Sequence, residues 1–528
     1  NGAAGENLVN YLRGDRGNEA AFYRTRSHAL GDIVSSQARY VKTPILNFSD
    51  AGYAAYKAAK AGRASRVYVG ANDGMLHAFD ATTGAEAWAY IPSAVLPDLY
   101  KLADINYATQ HQFFVDGSPE VGDIYAAGSW KTILVGGLNR GGKGYYALDI
   151  TDPANPTLLW EFADANMGYS YGNPRIVKLG GSSSDAGKWV VLVTSGYSNA
   201  DGKGHLYVLN ANTGAVIRDI STGVGSAASP SGLARISARV VSPDTDSTVE
   251  AVYGGDLLGN LWRFDVNGDV GASGYEAQLL VTLKDGSGNV QPITAKPTVA
   301  TVDGVPVIYI GTGAFLGTTD VSNTRQQSFY AVKDRLGATT YGNPRTAGNN
   351  FVQQTMVSDT CSADAATAGA CLLGQTIRSI SGTGCQDVDW STNNGWYLDF
   401  LTGGERSYTD SDLGLGTLVF TTITPNRSSV SVCGHSSPDT SASFAYHLNY
   451  KSGCSVAGAY GVAGLSLGSG LVSQPILAKL PDGTVIEFIR GGQLGDADDP
   501  TGATIELHPP IGSASISGRR VSWRELSN

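Results

Sequence analysis

The 528 residues carry 47 acidic and 37 basic side chains, a formal net charge of −10, and no Lys/Arg block able to neutralise a run of phosphates. This composition argues against nucleic acid as a partner, and the absence of about 18 consecutive apolar residues argues against a transmembrane helix. The 68 glycines, with only 16% charged residues, indicate a turn-rich, strand-rich globular chain.

A strand–turn–strand unit recurs along the chain and predicts an all-β fold built from blades. In its first copy, Asp73-Gly74 separates two alternating apolar runs, which predicts a hairpin turn with positive φ at both residues. Successive copies start 56 to 66 residues apart, a spacing that suits blades of four short strands. The copies lie at residues 67–80, 133–151, 190–214, 251–266 and, more weakly, from 307.

The remaining elements interrupt this repeat within what we predict to be a single domain over residues 1–528. Helical signals are sparse and lie at 50–63 and 93–102, and residues 1–60 are expected to form an outer strand or a docking segment. An Ala/Thr/Ser/Gly-rich stretch over 337–384 predicts a long inserted loop that contains cysteines. Strand patterns return at 396–400, 418–423 and 485–489.

Five cysteines lie in one stretch, at positions 361, 371, 385, 433 and 454, and none forms a CxxC pair or has a plausible His ligand set. Disulfides in an oxidising compartment explain them better than a metal site. Cys361–Cys371 and Cys433–Cys454 each close a short loop and are the predicted pairs, which leaves Cys385 over. Connectivity itself is open at this level.

The strongest candidate site is an alternating loop that precedes the strand at 251–253. Ser242, Asp244, Asp246, Thr248 and Glu250 fall at positions 1, 3, 5, 7 and 9. Calcium takes six to eight oxygen ligands from carboxylates, hydroxyls, carbonyls and water, so this pattern predicts a calcium site that Glu250 could close with both oxygens. The alternative is a solvated acidic turn, because Asp, Ser and Thr are common turn formers.

Arg13, Gly14 and Asp15 form an RGD tripeptide, which in an exposed turn could bind a receptor. The alternative is a structural turn or salt bridge, which the flanking Tyr11-Leu12 and Arg16 favour. Seven scattered histidines and the absence of nucleophile-elbow, HExxH, Walker or dinucleotide motifs predict that the chain is not an enzyme.

Several long strings resemble the C-terminal domain of PilC/PilY type IV pilus proteins. They are YLRGDR at 11–16, LGDIVSS at 30–36, VYVGANDGMLHAFDATTG from 67, VGGLNRGGKGYYALDITDP from 135, GYSYG at 168–172 and YGGDLLGNLWRFD from 253. The resemblance implies a modified β-propeller of about seven quinoprotein-like blades with long loop insertions, at the C-terminus of a larger secreted protein whose N-terminal half is not in this sequence.

The same resemblance implies a calcium-binding pilus biogenesis factor and tip adhesin, with roles in pilus extension and retraction, twitching motility, surface attachment and virulence. Its partners would be pilus components such as minor pilins, and host receptors such as integrins. Its place would be the pilus tip or outer-membrane surface of a Gram-negative bacterium, reached through the periplasm. Asp244 and Asp246 match the family's acidic loop, whereas Ser242 and Glu250 depart from it and predict weaker calcium binding.

Two other functions are consistent with the sequence. The string GANDGMLHAFDATTGAEAW also resembles blades of pyrroloquinoline-quinone dehydrogenases, although the adjacent Cys-Cys pair often found in those enzymes is absent. The other alternative is a structural scaffold that binds no metal.

Overall fold

A computed structural model describes residues 5–270, 274–425, 442–480, 484–491 and 504–510. The described helices are few and short, and none of them is long and apolar enough to cross a membrane. They are α1 (Gly5–Leu12), α2 (Tyr53–Ala59), α3 (Thr318–Val321), α4 (Ala363–Thr367) and the 3-10 helices Ser93–Ala103, Tyr107–Thr109 and Gly382–Gly384. Both predicted helical segments are confirmed, by α2 and by the first 3-10 helix.

The first of two compact units contains residues Asn1–Ala251, Asp265–Asp269 and Ser273–Glu276. Its strands form antiparallel groups of four in chain order. The first group is β1 (Arg39–Val41), β2 (Arg66–Ala71), β3 (Met75–Asp80) and β4 (Glu86–Tyr90); the second is β5 (Glu120–Ala126), β6 (Ser129–Gly137), β7 (Tyr145–Asp149) and β8 (Thr157–Phe162). The third is β9 (Arg175–Lys178), β10 (Trp189–Thr194), β11 (Lys203–Asn210) and β12 (Val216–Gly225).

Two further strands, β13 (Ile236–Ser242) and β14 (Asp246–Gly255), pair with each other, and β14 also pairs in parallel with β9, with Thr248 opposite Lys178. The second unit contains residues Val252–Phe264, Val270–Ala272 and Ala277–Asn528. In it, the end of β14 pairs with β15 (Asn260–Phe264), and β15 pairs with β16 (Ala277–Thr282).

The rest of the second unit contains three more sheets. Their strands are β17 (Thr298–Val302), β18 (Val305–Gly311), β19 (Ser328–Lys333), β20 (Phe351–Gln354), β21 (Val357–Thr360), β22 (Thr376–Ser379), β23 (Gly395–Asp399), β24 (Asp412–Gly414), β25 (Thr417–Thr424), β26 (Ala442–Asn449), β27 (Val462–Ser469), β28 (Ile476–Lys479), β29 (Val485–Arg490) and β30 (Thr504–Leu507). The strand orders are β17-β18-β19-β23-β20, β21-β22-β27-β26-β25-β24 and β28-β29-β30.

The all-β prediction is therefore confirmed. The described strands form six sheets. The sheet with eight strands, β9 to β16, consists of two groups that pair only where β14 runs parallel to β9. Counting these two groups separately gives seven strand groups among the described residues. The prediction of one domain over residues 1–528 stays a prediction.

Each unit has its own apolar core, formed where successive sheets stack. In the first unit, Ile133, Val135, Val191 and Val193 are at most 1% exposed and belong to one cluster. In the second unit, Trp396 is fully buried in the largest cluster. The β-branched runs that predict strands are continuous because neighbouring sheets cover both faces of the central strands.

The predicted hairpin at Asp73-Gly74 is confirmed, but its turn type is wrong. Ala71 lies opposite Met75, so the loop has three residues, and only Gly74 among them has a positive φ, 95°. A three-residue hairpin loop places its left-handed residue last, which glycine tolerates at no steric cost. The Asp73 carboxylate accepts hydrogen bonds from the Met75 and Gly31 backbone amides, at 3.2 and 2.8 Å.

The stretch 337–384, predicted as a long inserted loop, does lie between the paired strands β19 and β23, but it is not only loop, because it contains β20, β21, α4 and β22. Strand β21 is an edge strand, and all four of its residues, Val-Ser-Asp-Thr, are exposed. An edge strand with no buried face needs no alternation of apolar residues, so the pattern on which the prediction depends is missing.

One of the two predicted disulfides is confirmed and the other is wrong. Cys361 is bonded to Cys371, whereas Cys454 is bonded to Cys385, at a sequence separation of 69 and with Cα atoms 5.5 Å apart. Cys433, the predicted partner of Cys454, lies outside the described residues. Cys385 and Cys454 meet because both pack against the large core of the second unit.

Candidate functional site

The predicted calcium loop is a tight hairpin between β13 and β14. Ser242 ends β13, Asp244 lies in the turn, and Asp246 begins β14. Thr248 and Glu250 follow Asp246 at alternate positions, so these three side chains share one face of the strand. The sequence pattern thus corresponds to a strand face and a turn instead of a closed loop.

Lys178 lies between the carboxylates of Asp246 and Asp50. The Asp246 Oδ1 atom accepts hydrogen bonds from the Thr248 amide and hydroxyl, at 2.9 and 2.6 Å, and lies 3.2 Å from the Lys178 ammonium. Lys178 also donates a 2.7 Å hydrogen bond to Asp50 Oδ1. Burial alone would raise the pKa of Asp246, but the Thr248 hydrogen bonds and the Lys178 charge together lower it.

Residues 47–50 bring the second carboxylate to this place. The amide of Asn47 donates to the carbonyl of Asp244 at 2.8 Å, and the amide of Ser49 donates to the carbonyl of Thr245 at 2.9 Å. Asp50 is thereby positioned beside Lys178, and its Oδ2 atom is buried without a hydrogen-bond partner. Sequence reasoning missed Asp50 and Lys178, because nothing in their local sequence marks them and only the fold brings them to the hairpin.

The other candidate ligands have different surroundings. Glu250 forms an ion pair with Arg239 of β13, with Oε2 2.7 Å from the guanidinium. The Ser242 hydroxyl accepts a 2.9 Å hydrogen bond from the Thr245 hydroxyl, and the Asp244 side chain is exposed. Both carboxylates on β14 are therefore paired with basic side chains of the same unit.

These five residues do not form one calcium coordination sphere in this conformation. Asp246 and Glu250 are four positions apart on the extended strand β14, so their Cα atoms are separated by a rise of about 13 Å. Their carboxylates contact different partners, Lys178 and Arg239. Across the described ranges, no three His, Cys, Asp or Glu side chains are grouped closely enough to bind a metal ion. Calcium binding by Ser242, Asp244, Asp246, Thr248 and Glu250 stays a prediction.

The RGD tripeptide forms a turn immediately after α1. The amides of Gly14 and Asp15 donate to the carbonyls of Tyr11 and Asn10, at 3.0 and 2.9 Å, and Gly14 has φ of 106°. The side chains of Arg13 and Asp15 are both exposed. Asp15 Oδ1 accepts a 2.7 Å hydrogen bond from the amide of Gly17, which fixes the carboxylate at the surface.

The ion pairs that stabilise this turn come from its neighbours. Glu19 pairs with Arg16 at 3.2 Å and with the buried Arg26 at 2.8 Å. The Arg26 guanidinium also lies 3.7 Å from the centre of the Tyr11 ring. Arg13 takes no part in this scaffold, so the tripeptide is structurally supported while its two charged side chains face solvent.

Successive antiparallel groups of about four strands, each connected to the next along the chain, define the class of β-propeller proteins. The sequence profile of the PilY1 beta-propeller domain matches residues 30–368. The chain belongs to this PilY1 β-propeller family, which confirms the family resemblance and the propeller fold.

Three similar proteins extend this result. The type IV pilus biogenesis factor PilY1 of Pseudomonas aeruginosa strain PAK is 37% identical over 470 residues, which cover 80% of this chain and 39% of that protein. A Xylella fastidiosa homologue of PilY1 is 34% identical over 99% of this chain and 41% of its own length. The crystal structure of the Pseudomonas aeruginosa PilY1 C-terminal domain matches with a TM-score of 0.65 and 29% identity, over 86% of this chain and 97% of that one. The chain thus spans about two-fifths of the length of these curated relatives.

Proposed function

We propose that this chain is the propeller of a type IV pilus biogenesis factor, and that it acts by binding other proteins without catalysing a reaction. The observation that carries the proposal is similarity along 99% of the chain to a protein named as a PilY1 homologue. The proposed partners are pilus components, including minor pilins, at the pilus tip or outer surface of a Gram-negative cell.

A chimera tests this proposal. The C-terminal propeller of Pseudomonas aeruginosa PilY1 is replaced by this chain, and surface pili and twitching are compared with those of a strain that lacks the propeller. We expect the chimera to restore sheared surface pili and a twitching zone. A chimera that is exported and stable but restores neither would contradict a role in pilus biogenesis.

Calcium control is a second part of the proposal, and the family resemblance supports it. Binding would require the hairpin to rearrange, because Glu250 now pairs with Arg239 and Asp246 with Lys178. Calorimetric titration of wild type and Asp246→Ala with calcium tests this part, with Asp98→Ala as a control at an exposed carboxylate. Saturable binding that only Asp246→Ala abolishes is expected. Binding that survives Asp246→Ala would move the metal elsewhere, and no binding at all would favour the metal-free scaffold.

Receptor binding through Arg13 and Asp15 is the third part, and the exposure of both side chains supports it. Asp15→Glu keeps the charge but moves the carboxylate by one methylene, so it should weaken attachment to immobilised integrin without changing stability. Asp98→Glu, at an exposed acid outside the turn, is the matched control. Equal attachment by wild type and Asp15→Glu would assign the tripeptide to the scaffold alone.

A further inference from the structure

The outermost strand of the first sheet is joined to its neighbour by a buried histidine. His77 lies on β3, and its Nε2 atom is 3.1 Å from the carboxylate of Asp73 in the preceding turn. Its Nδ1 atom is 2.7 Å from Glu86 Oε1 on β4. The ring stacks on Phe79, and its side chain is only 6% exposed. An imidazole can donate to both acids only when both ring nitrogens carry a proton.

The third strand group repeats this arrangement at the same position. His205 lies on β11, with Nε2 3.1 Å from Asp201 in the preceding turn and Nδ1 2.8 Å from Asp219 on the outermost strand β12. Its ring stacks on Tyr207, and its side chain is again 6% exposed. In both groups the turn aspartate is four residues before the histidine, and the stacked aromatic ring is two residues after it.

A third copy of the arrangement has no histidine. In the group formed by β14, β15 and β16, the amide of Asn260 donates to Asp256 Oδ2 at 3.0 Å. The Asn260 side-chain oxygen accepts a 2.8 Å hydrogen bond from the hydroxyl of Thr282 on the outermost strand β16. The turn aspartate is again four residues upstream, and Trp262 takes the aromatic position. Asparagine therefore joins the same three elements without an ionisable group at the central position.

The surroundings of His77 and His205 favour the charged imidazole. Burial lowers the pKa of His77, but Asp73 and Glu86 outweigh it and the net pKa is raised. On the segment that packs beside this turn, Asp32 accepts a 2.8 Å hydrogen bond from the Asn72 amide group and lies 3.0 Å from His111 Nε2.

The same balance applies to His205, where burial is outweighed by Asp219 and Asp201 and the pKa is raised. Lys203 is the neighbouring basic residue, and its backbone amide donates to Asp201 Oδ1 at 3.0 Å. Both histidines are thus surrounded by two acids that stabilise the positive charge.

Loss of the proton would affect the two acids of each pair unequally. The turn acid is the more buried one, since the Asp73 side chain is 14% exposed against 48% for Glu86, and Asp201 is 29% exposed against 41% for Asp219. A neutral imidazole has one N–H, and it is retained by the buried acid that would be costly to leave unpaired. The outer-strand acid then faces a nitrogen lone pair and turns to solvent.

We propose that proton binding by His77 and His205 stabilises the pairing of the outermost strands β4 and β12 with their sheets, here called the fastened form. Proton release destabilises this pairing and lets these two blade edges open more often. Because the fastened form binds the proton more tightly than the open form, fastening is complete below the ordinary pKa of histidine. It is lost as pH rises through the raised pKa. Strand β16 has the asparagine version and stays attached over the same pH range.

Hydrogen–deuterium exchange tests the proposal on the whole chain, with rates corrected for the intrinsic pH dependence of amide exchange. Peptides from β4 and β12 should open more readily at about pH 9 than at about pH 6, by up to about tenfold for each pH unit between the ordinary and the raised pKa of the histidine. Peptides from β16 in the same sample should not change.

Three variants identify the groups responsible. His77→Asn copies the natural asparagine and should remove the pH dependence of β4 while β12 keeps its own. Glu86→Gln, which leaves the histidine in place, should reduce the effect at β4 alone. His28→Asn, at an exposed histidine, should resemble wild type. The proposal is overturned if β4 and β12 respond to pH no more than β16, or if both β4 variants keep the wild-type pH response.

Discussion

The Cys385–Cys454 disulfide offers the most direct test of the second unit. Replacing both cysteines by serine removes a crosslink that closes a loop with a sequence separation of 69. Both must be replaced, because Cys433 lies between them in the sequence and could pair with whichever cysteine a single substitution leaves. Cys361→Ser with Cys371→Ser is the matched control, since that bond has a sequence separation of only 10.

The expected effect follows from the entropy of the unfolded chain. A disulfide removes more conformational entropy from the unfolded chain when the loop that it closes is longer. The relation between this entropy and loop length gives a stabilisation of about 4.4 kcal/mol for the longer loop and about 2.7 kcal/mol for the shorter. In a unit of this size each kcal/mol lowers Tm by about 2 °C, so losses of about 9 °C and about 5 °C are expected.

Differential scanning calorimetry of the two double variants and of the wild type measures both losses. The reasoning is refuted if the Cys361/Cys371 variant loses as much as the Cys385/Cys454 variant, or more. That result would mean that local packing at each bond, and not loop length, determines its contribution.

Three other predictions concern charge, pH and backbone packing. Arg263 and Asp334 form a 2.6 Å ion pair whose side chains are at most 1% exposed. Arg263→Ala should lower the free energy of unfolding by about 3–5 kcal/mol, because it leaves the Asp334 charge buried without its partner. The double variant Arg263→Met with Asp334→Leu should recover much of that stability in a melting experiment. A double variant no more stable than the single one would contradict this. Because the pKa of Asp246 is lowered, its carboxylate stabilises the fold above the ordinary aspartate pKa, and this stabilisation is lost as pH falls through the lowered pKa. Asp246→Asn should therefore have a lower Tm than wild type at neutral pH and the same Tm in acid. A difference in Tm that stays constant with pH would count against the Lys178 pairing. A Cβ at Gly31 would lie 2.3 Å from the Asp73 amide nitrogen, so Gly31→Ala should expose residues 30–36 to proteolysis, whereas Gly62→Ala, with nothing within 4 Å, should not.

The recurrent blade unit could be predicted from sequence because its signal is local. Alternating β-branched runs and an Asp-Gly turn depend on residues a few positions apart, and the structure confirms the hairpin of β2 and β3. The exposed edge strand β21 could not be predicted, because a strand with no buried face has no apolar alternation.

The candidate site was only partly predictable for a related reason. The alternating positions of Asp246, Thr248 and Glu250 do lie on one face of β14. Their charge partners could not be predicted, since Lys178 and Arg239 come from other strands and Asp50 from a segment that docks on the hairpin turn.

By itself the sequence determined the all-β class, the repeat, the family and the positions of the candidate ligands, because each depends on local spacing or on long matching strings. Only the tertiary structure decided which cysteine bonds Cys454, which base neutralises Asp246, and that His77 and His205 each join a turn to an outer strand. The first two pairings join segments far apart in the chain, and the packing of the sheets brings those segments together. The histidine pairings are local in sequence, but they depend on the register between neighbouring strands, which the pattern of residue types alone does not encode.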